Sequence, residues 1–366
     1  MAPIDTAKED ARWMAAALRL AERGLGRVAP NPAVGCILVR DGHAVGRGWT
    51  QPGGRPHAET EALSRAGAEA RGATAYVTLE PCSHTGKTGP CADALIAAGI
   101  SRAVIAMEDP DDRVSGRGIA MLEAAGIDLS VGILHEEAQH LNQGFVLNRT
   151  TGRPLVTLKL ATSLDGRIAT ATGESKWITG DAARQDAHML RMMHDAILVG
   201  IGTVLADDPA LTCRLPGIHA DGGVRVVLDS QGRLPTASKF CDGKMTSIQI
   251  TATGCAAPPI RNVARIEIPP DAGEPGISVP EVLRALASRG ITRVMVEGGG
   301  KVAASFLAAG MVDRIQWYRA GILLGADGVP CIAARTVDDL ATVERFRFTG
   351  ARTLGADRVD CLERVT

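Results

Sequence analysis

Short apolar runs of strand character alternate with amphipathic helical patterns along almost the whole chain. The first helical pattern places Trp13, Ala17 and Leu18 on one face, and the turn Asp41-Gly42 joins two strand-like runs into a hairpin. Such alternation is typical of an α/β fold, in which helices cover a sheet. The predicted strands are 34–40, 44–48, 73–79, 103–107, 154–161, 195–199, 224–228, 248–251, 293–297 and 314–318. The predicted helices are 6–23, 58–70, 91–99, 116–126, 181–193, 279–289 and 301–310.

A polar stretch without periodicity, residues 148–154, interrupts this alternation. It divides the chain into two predicted α/β domains, residues 1–147 and 153–366. A length of 366 residues is more than one ordinary domain needs, which agrees with this division. Residues 253–278, rich in Pro, Gly and Ala, are predicted to form a loose connection without a functional role.

The charge balance and the lack of long apolar runs narrow the classes of function. A formal net charge of −1 does not provide the basic surface that nucleic-acid binding usually needs, so a small-molecule substrate is expected. No run approaches the roughly 18 to 20 apolar residues of a membrane-spanning helix, and the start of the chain is unlike a signal peptide. Eight scattered cysteines then predict a protein of the reducing cytoplasm without a disulfide framework.

One histidine, one glutamate and two cysteines form the most informative cluster of the first domain. His57 and Glu59 open a predicted helix, Cys82 follows a predicted strand, and Cys91 opens the next helix. A catalytic zinc site has three protein ligands and one open position for water, and an imidazole with two thiolates supplies such a set. Glu59 is predicted to take the proton of the water and to return it to a leaving amine. The cluster therefore predicts a zinc-dependent aminohydrolase.

The spacing of the two cysteines departs from the usual signature of this chemistry. Zinc nucleobase deaminases carry H-x-E followed by P-C-x-x-C, whereas eight residues separate Cys82 from Cys91. One alternative is that the His-Ala-Glu segment and the cysteines are unrelated. Another is that His84, inside the insert, is a fourth ligand that closes the site, but this would leave Glu59 without a role.

A triple glycine marks the second domain. The strand predicted at 293–297 runs into Gly298, Gly299 and Gly300, and a helix follows. Glycines permit close backbone approach and a helix N-terminus favours an anion, so this segment is predicted to bind the phosphate of a cofactor. The earlier Gly200-Ile-Gly202 segment lacks the third glycine of a Rossmann fingerprint, because Leu205 stands in its place.

Motifs in both domains occur in the same order as in one known family. Together they resemble the RibD family of bifunctional riboflavin biosynthesis proteins. The motifs are residues 31–35, 57–59, 81–91, 159–168, 175–179, 195–214 and 296–300.

The resemblance implies a fold and an activity for each domain. It implies a cytidine-deaminase-like three-layer domain followed by a dihydrofolate-reductase-like α/β domain. The first would hydrolyse the ring amine of 2,5-diamino-6-ribosylamino-4(3H)-pyrimidinone 5′-phosphate. The second would then reduce the ribosyl group to ribityl with NADPH. A homo-oligomer is also expected from the resemblance.

The resemblance further implies a set of site residues. The zinc ligands are His57, Cys82 and Cys91, the proton shuttle is Glu59, and the deaminase substrate contacts are Asn31 and Lys87. The NADPH contacts are Ala161, Trp177, Thr203, Asp207, Ser230, Gly299 and Gly300. The reductase substrate contacts are Ser175, Arg191, Leu211, Arg214 and Glu297. Lys159 and Asp207 are the alternatives for the proton donor of the reduction.

Two positions depart from the family pattern. Thr50 stands where members commonly carry a histidine, and Asp111 stands where they commonly carry an asparagine. A carboxylate beside a phosphate is unfavourable, so contact of Asp111 with a ribose hydroxyl is the alternative. Neither departure touches the zinc ligands.

Two rival functions make different predictions. A nucleoside or tRNA deaminase with a non-catalytic accessory domain would carry the short Cys-x-x-Cys and, for tRNA, a basic surface. A binding protein that has lost catalysis would lack Glu59 or one of the ligands. The sequence has neither the short Cys-x-x-Cys nor a basic excess, and it retains Glu59 and all three ligands.

Overall fold

The structure, a computed structural model, describes residues 6–84, 89–111, 115–217, 223–270, 276–333 and 337–365. It divides into two units, Met1–Gly152 and Arg153–Thr366. Among the described residues, no helix has both the length and the apolar character needed to cross a membrane.

The first unit has a five-stranded sheet in the order β2-β1-β3-β4-β5. Strand β1 is antiparallel to both β2 and β3, and the strands from β3 to β5 are parallel. The strands are β1 (Gly35–Arg40), β2 (His43–Trp49), β3 (Thr74–Val77), β4 (Arg102–Ile105) and β5 (Asp128–Val131). The helices are α1 (Thr6–Ala21), α2 (Ala58–Ala66), α3 (Cys91–Ala98), α4 (Arg117–Ala124), α5 (His135–Leu141) and α6 (Gln143–Thr151).

Glycines on the β1–β2 hairpin allow helices to lie directly on both faces of this sheet. A Cβ on Gly35 would lie 1.9 Å from the carbonyl oxygen of Ala17 in α1, and one on Gly48 would lie 2.1 Å from that of Ala58 in α2. Gly48 pairs with Cys36, the neighbour of Gly35, so the two glycines point to opposite faces. Helices α1 and α2 therefore cover opposite faces, and the predicted three-layer arrangement is confirmed.

The second unit has a nine-stranded sheet in the order β11-β10-β9-β8-β12-β6-β13-β16-β15, and β7 pairs with β14 separately. The sheet is parallel from β11 to β13 and ends in an antiparallel hairpin. The strands are β6 (Leu155–Thr162), β7 (Arg167–Ala169), β8 (Ala196–Gly200), β9 (Val224–Leu228), β10 (Thr246–Ala252), β11 (Val263–Ile268), β12 (Arg293–Val296), β13 (Arg314–Arg319), β14 (Val329–Pro330), β15 (Phe346–Leu354) and β16 (Asp357–Arg364). The helices are α7 (Asp181–Met192), α8 (Ile201–Asp207), α9 (Val279–Ala287) and α10 (Gly300–Ala308).

Alternate residues of the central strands pack into two hydrophobic cores, one on each face of this sheet. In β8, Leu198 packs with Leu283 of α9 and Phe306 of α10, whereas Val199 packs with Val204 of α8 and Phe240 on the other face. This arrangement is the α/β layering that the sequence predicts for the second domain.

One prediction about a connection is wrong. The segment 253–278, predicted to be loose, contains β11, which pairs in parallel with β10 at the edge of the sheet. Only Ile266 and Ile268 of this strand are buried, so its apolar signal is weak. The chain divides between Gly152 and Arg153, inside the stretch 148–154, and α6 (Gln143–Thr151) extends into that stretch.

Candidate active sites

Three potential metal ligands meet where strands of the first unit give way to helices. His57 immediately precedes α2, Cys82 lies beyond the end of β3, and Cys91 is the first residue of α3. The Cys91 backbone N–H donates to the Cys82 sulfur over 3.3 Å, so the helix N-terminus favours negative charge on that sulfur.

The geometry of the three side chains fits a zinc ion. The Nδ1 atom of His57 lies 3.3 Å from the sulfur of Cys91 and 3.7 Å from that of Cys82. All three ligand atoms lie within 4.8 Å of one another. A tetrahedral zinc with bonds of about 2.0 to 2.3 Å places neighbouring ligand atoms roughly 3.6 Å apart, which agrees with these distances. The thiol of Cys91, together with His57 and the Cys91 N–H, lowers the pKa of Cys82 to about 4, which favours a thiolate.

Glu59 lies in the first turn of α2, next to this cluster. Its side chain is buried, and burial raises its pKa to about 7, although the neighbouring His57 acts in the opposite direction. A carboxyl group with this pKa can accept and release a proton near neutral pH. Glu59 therefore has the position that a proton shuttle needs.

A cavity that is open to solvent lies over the cluster. Its wall includes His57, Glu59 and Cys82, together with Asn31 and His84. A Cβ on Gly54, whose φ is +83°, would lie 1.7 Å from the amide nitrogen of Asn31, so only glycine permits this packing. Among the described residues, His84 is not one of the clustered metal ligands, which leaves the fourth position open. Lys87, the predicted phosphate contact, lies outside the described residues.

Both departures from the family pattern lie on the wall of this cavity. Thr50 is buried and joins β1 to β2: its hydroxyl accepts the N–H of Val34 over 3.0 Å, and its own N–H donates to the Val34 carbonyl over 2.9 Å. Asp111 forms an ion pair with Arg149, whose Nε lies 3.5 Å from its carboxylate. Thr50 is thus part of the hairpin framework, and the charge of Asp111 has a nearby counter-ion.

In the second unit, three predicted site residues form one half-buried ionic cluster, with side chains 13 to 15% exposed. Lys159 Nζ lies 3.2 Å from Glu297 Oε1, and Arg191 binds both oxygens of the same carboxylate over 2.8 and 2.9 Å. Arg191 also donates to the carbonyl oxygen of Thr212 over 2.8 Å. Burial raises the pKa of Glu297, but Lys159 and Arg191 outweigh it and lower that pKa to about 2. The carboxylate is therefore ionised and holds two cations side by side.

Several predicted cofactor contacts lie at the carboxyl edge of the second sheet. Strands β9, β8, β12 and β6 are adjacent and parallel, so their carboxyl ends meet at one edge. Ala161, Thr203, Ser230 and Gly299 lie at or just after these strand ends. A Cβ on Gly298 would lie 2.9 Å from the hydroxyl of Thr203, so the triple glycine packs closely against α8. Ligands of open α/β sheets bind at this edge.

The remaining predicted contacts lie in more exposed segments. The Trp177 side chain is 66% exposed, and the guanidinium of Arg184 lies 4.5 Å from its ring centre. Lys176 pairs with Asp207 at 3.5 Å, which ties this segment to the end of α8. Gly300 begins α10, Ser175 is half-buried and Arg214 is exposed. The side chain of Leu211 is buried in the core beside α8, so it contributes to packing.

Comparisons with known proteins identify the family. Residues 7–107 match the cytidine and deoxycytidylate deaminase zinc-binding region, and residues 154–359 match the RibD C-terminal domain. The chain is 45% identical over 348 residues to the riboflavin biosynthesis protein RibD of Bacillus amyloliquefaciens, covering 94% of each chain. The chain belongs to the RibD family. The RibD of Escherichia coli (strain K12) is 42% identical over 362 residues, which cover 95% of this chain and 98% of the relative.

Solved RibD structures share the whole fold. One form of Acinetobacter baumannii RibD superposes with a TM-score of 0.87 at 39% identity, covering 98% of this chain and 100% of the other. The Thermotoga maritima diaminohydroxyphosphoribosylaminopyrimidine deaminase/5-amino-6-(5-phosphoribosylamino)uracil reductase gives 0.88 at 36% identity, with the same coverage. The fold predicted from the resemblance is thereby confirmed for both domains.

Membership in the RibD family defines the kind of enzyme. The chain is a bifunctional enzyme of riboflavin biosynthesis, a zinc-dependent deaminase joined to an NADPH-dependent reductase. The rival interpretation, a nucleoside or tRNA deaminase with a non-catalytic accessory domain, is not supported, because the second domain matches the RibD C-terminal domain over almost its whole length.

Sequence reasoning missed Glu80, a buried acid two residues before the ligand Cys82. One oxygen of its carboxylate accepts the N–H groups of Asp109 and Gly116, and the other accepts those of Gly118 and Ile119, over 2.8 to 3.2 Å. Glu80 thus joins the ligand segment to the start of α4. The only signal in the sequence is an acidic residue at a buried strand end.

Replacing Glu80 by glutamine is expected to destabilise the first unit by about 2 to 4 kcal/mol. Glutamine keeps one acceptor oxygen and turns an NH₂ group towards two buried N–H donors. Hydrogen exchange of the amides at 116–119 should accelerate accordingly in the zinc-loaded protein. Glu69→Gln is the control, since that exposed side chain forms a 3.7 Å ion pair with Arg40. Unchanged protection in Glu80→Gln would contradict the assignment.

Proposed function

We propose that the first unit hydrolyses the ring amine of 2,5-diamino-6-ribosylamino-4(3H)-pyrimidinone 5′-phosphate, and that the second unit reduces the ribosyl group of the product to ribityl with NADPH. The observation that carries the first step is a cluster of three ligands, His57, Cys82 and Cys91, beside the buried carboxyl of Glu59. The Thermotoga maritima relative is named as a deaminase and a reductase of such pyrimidines.

In the deamination, Glu59 is the catalytic acid–base group. A zinc ion held by His57 Nδ1 and the two thiolates would supply a water molecule whose pKa is lowered to about 7. Glu59 accepts the proton of the attacking water and returns it to the amine, which leaves as ammonia. The amide of Asn31, fixed against Gly54, orients the pyrimidine ring, and Lys87 contacts the phosphate.

In the reduction, the carboxyl edge of the second sheet binds NADPH and the ionic cluster binds the substrate. Arg191 and Glu297 orient the sugar chain, and Lys159 supplies the proton that accompanies the hydride. Lys159 is favoured over Asp207 as the donor because its ammonium is part of the half-buried cluster and its side chain is only 15% exposed. Asp207 is 40% exposed and already pairs with Lys176.

The two steps are distinguishable by the mass of the product. Incubation of the diaminopyrimidine phosphate with the zinc-loaded protein should add about 1 Da as an amine becomes a carbonyl oxygen. Addition of NADPH should add about 2 Da more, for one hydride and one proton. Chelation of the metal should abolish the first change and leave the reduction of deaminated substrate intact. A substrate whose mass stays unchanged would refute the proposal.

The proposal also includes a cytoplasmic location and assembly into a homo-oligomer. All eight cysteines are free thiols, and two of them are the proposed zinc ligands, which suits a reducing compartment. Light scattering of the purified protein measures the oligomeric state, and a mass equal to one chain would contradict assembly.

A further inference from the structure

Arg149 of α6 and Asp111, in the segment after β4, form an ion pair on the wall of the deaminase cavity. Arg149 Nε lies 3.5 Å from Asp111 Oδ2, and both residues line the cavity that contains His57 and Glu59. The Asp111 side chain is 11% exposed and that of Arg149 is 33% exposed. The guanidinium therefore lies on the more solvent-exposed part of the wall, whereas Glu59 is buried.

The guanidinium is held on one edge and open on the other. The ring of Phe145, one helical turn earlier, lies 5.3 Å from the guanidinium carbon, and the Asp111 carboxylate lies beside Nε. Neither of these two contacts is made by Nη1 or Nη2, and the Arg149 side chain is 33% exposed. Two parallel N–H groups of one arginine bind a phosphate in bidentate fashion, so this edge is suited to a phosphate.

The charges around the cavity explain why a cation is needed there. Glu80, Asp109 and Asp111 line the cavity beside Glu59, and the arginines among its described lining residues are Arg55 and Arg149. Burial raises the pKa of Asp109 to about 6. The backbone N–H of Asp111, which donates to Asp109 over 2.9 Å, and the charge of Arg149 lower this pKa, whereas the carboxylates of Asp111 and Glu80 raise it. A phosphate dianion entering this wall would be repelled by the carboxylates unless a neighbouring cation compensates.

We propose that Arg149 binds the 5′-phosphate of the deaminase substrate, and that the ion pair with Asp111 holds its guanidinium in position. This inference rests on the proposed function, because the phosphate is that of the pyrimidine named there. The proposal also gives Asp111 a role, because it holds the guanidinium, whereas a carboxylate beside a phosphate would otherwise be unfavourable.

Arg149→Met removes the charge and keeps an unbranched side chain on the helix. We expect kcat/KM for deamination of the phosphorylated substrate to fall about ten- to a hundredfold, mainly through KM. For the same substrate after phosphatase treatment, kcat/KM should stay within about twofold, since the lost contact is absent there. Arg40→Met is the matched control, because Arg40 is also a partly exposed, ion-paired arginine of the first unit but does not line the cavity.

A second variant separates direct binding from simple neutralisation of Asp111. In Asp111→Asn/Arg149→Met the repelling carboxylate is removed together with the cation. If Arg149 contacts the phosphate, the double variant keeps a raised KM relative to Asp111→Asn alone. Recovery of the wild-type KM in the double variant would show that Arg149 only neutralises Asp111, and would overturn the inference. An equal loss for both forms of the substrate in Arg149→Met would overturn it as well.

Failure of this inference differs from failure of the proposed function. If the wild-type chain does not deaminate the phosphorylated pyrimidine, the proposed function is wrong. If the wild type deaminates it and Arg149→Met has the wild-type KM, only the assignment of Arg149 is wrong.

Discussion

Glu59→Gln is expected to keep one zinc per chain and to reduce the rate of deamination about a thousandfold. Glu59 lies outside the set of ligands, so its replacement should leave the geometry of His57, Cys82 and Cys91 intact. The amide cannot accept the proton of the attacking water or deliver it to the leaving amine. The loss should therefore fall on kcat with little change in KM.

The control for this variant lies on the same helix turn. Glu61 is also in the first turn of α2, but it pairs with Arg65 over 3.0 Å on the outer face. Glu61→Gln should deaminate at close to the wild-type rate and bind the same amount of zinc. Reduction of deaminated substrate should be unaffected in both variants. Normal deamination by Glu59→Gln would show that another group transfers the proton.

The deaminase site was predictable because its chemistry is encoded in short segments. His57 and Glu59 are two residues apart, Cys82 follows a strand and Cys91 begins a helix. The ends of strands and helices are visible in the sequence, because the spacing of apolar residues changes there. The pattern therefore predicts where the ligands lie as well as what they are. The structure adds the distances of 3.3 and 3.7 Å that join His57 to the two sulfurs.

The residues of the reductase cluster could be named individually from the sequence, but their mutual contact could not be predicted. The resemblance names Lys159, Arg191 and Glu297, but it assigns Lys159 and Glu297 to different roles. Lys159 and Glu297 are 138 positions apart, and Arg191 and Glu297 are 106 apart. Their contact depends on β12 lying beside β6 in a sheet whose strand order differs from the chain order. Periodicity within one segment carries no information about that order.

Residues whose role depends on packing were missed altogether. Glu80 accepts backbone N–H groups that lie 29 to 39 positions further along the chain. Arg149 falls in the stretch where the sequence predicts a domain boundary, yet it is a helical residue whose side chain lines the deaminase cavity. In each case the sequence shows an ordinary charged residue, and only the tertiary structure reveals its partner.

Glu297→Gln is expected to reduce the rate of ribosyl reduction by about a hundredfold or more, through misplacement of the two cations. The carboxylate separates and neutralises Lys159 and Arg191, and an amide of the same shape leaves two like charges together in a half-buried site. The variant should also lose about 3 to 5 kcal/mol of stability in the second unit. Deamination by the first unit provides an internal reference, and it should continue at the wild-type rate.

The pH dependence of stability tests whether the ionised Glu297 carboxylate stabilises the second unit. The pKa of Glu297 is lowered from 4.5 to about 2 in the folded chain, so its contribution is fully present above pH 4.5 and is lost as the pH falls towards 2. Glu297→Gln should remove this part of the acid sensitivity. Asp313→Asn is the matched control, since Asp313 holds Arg153 by two 2.7 Å hydrogen bonds in the same unit but outside the cluster. That control should lose stability while its folded fraction reduces substrate normally. If folded Glu297→Gln also reduces substrate at the wild-type rate, the carboxylate stabilises the unit without positioning the substrate.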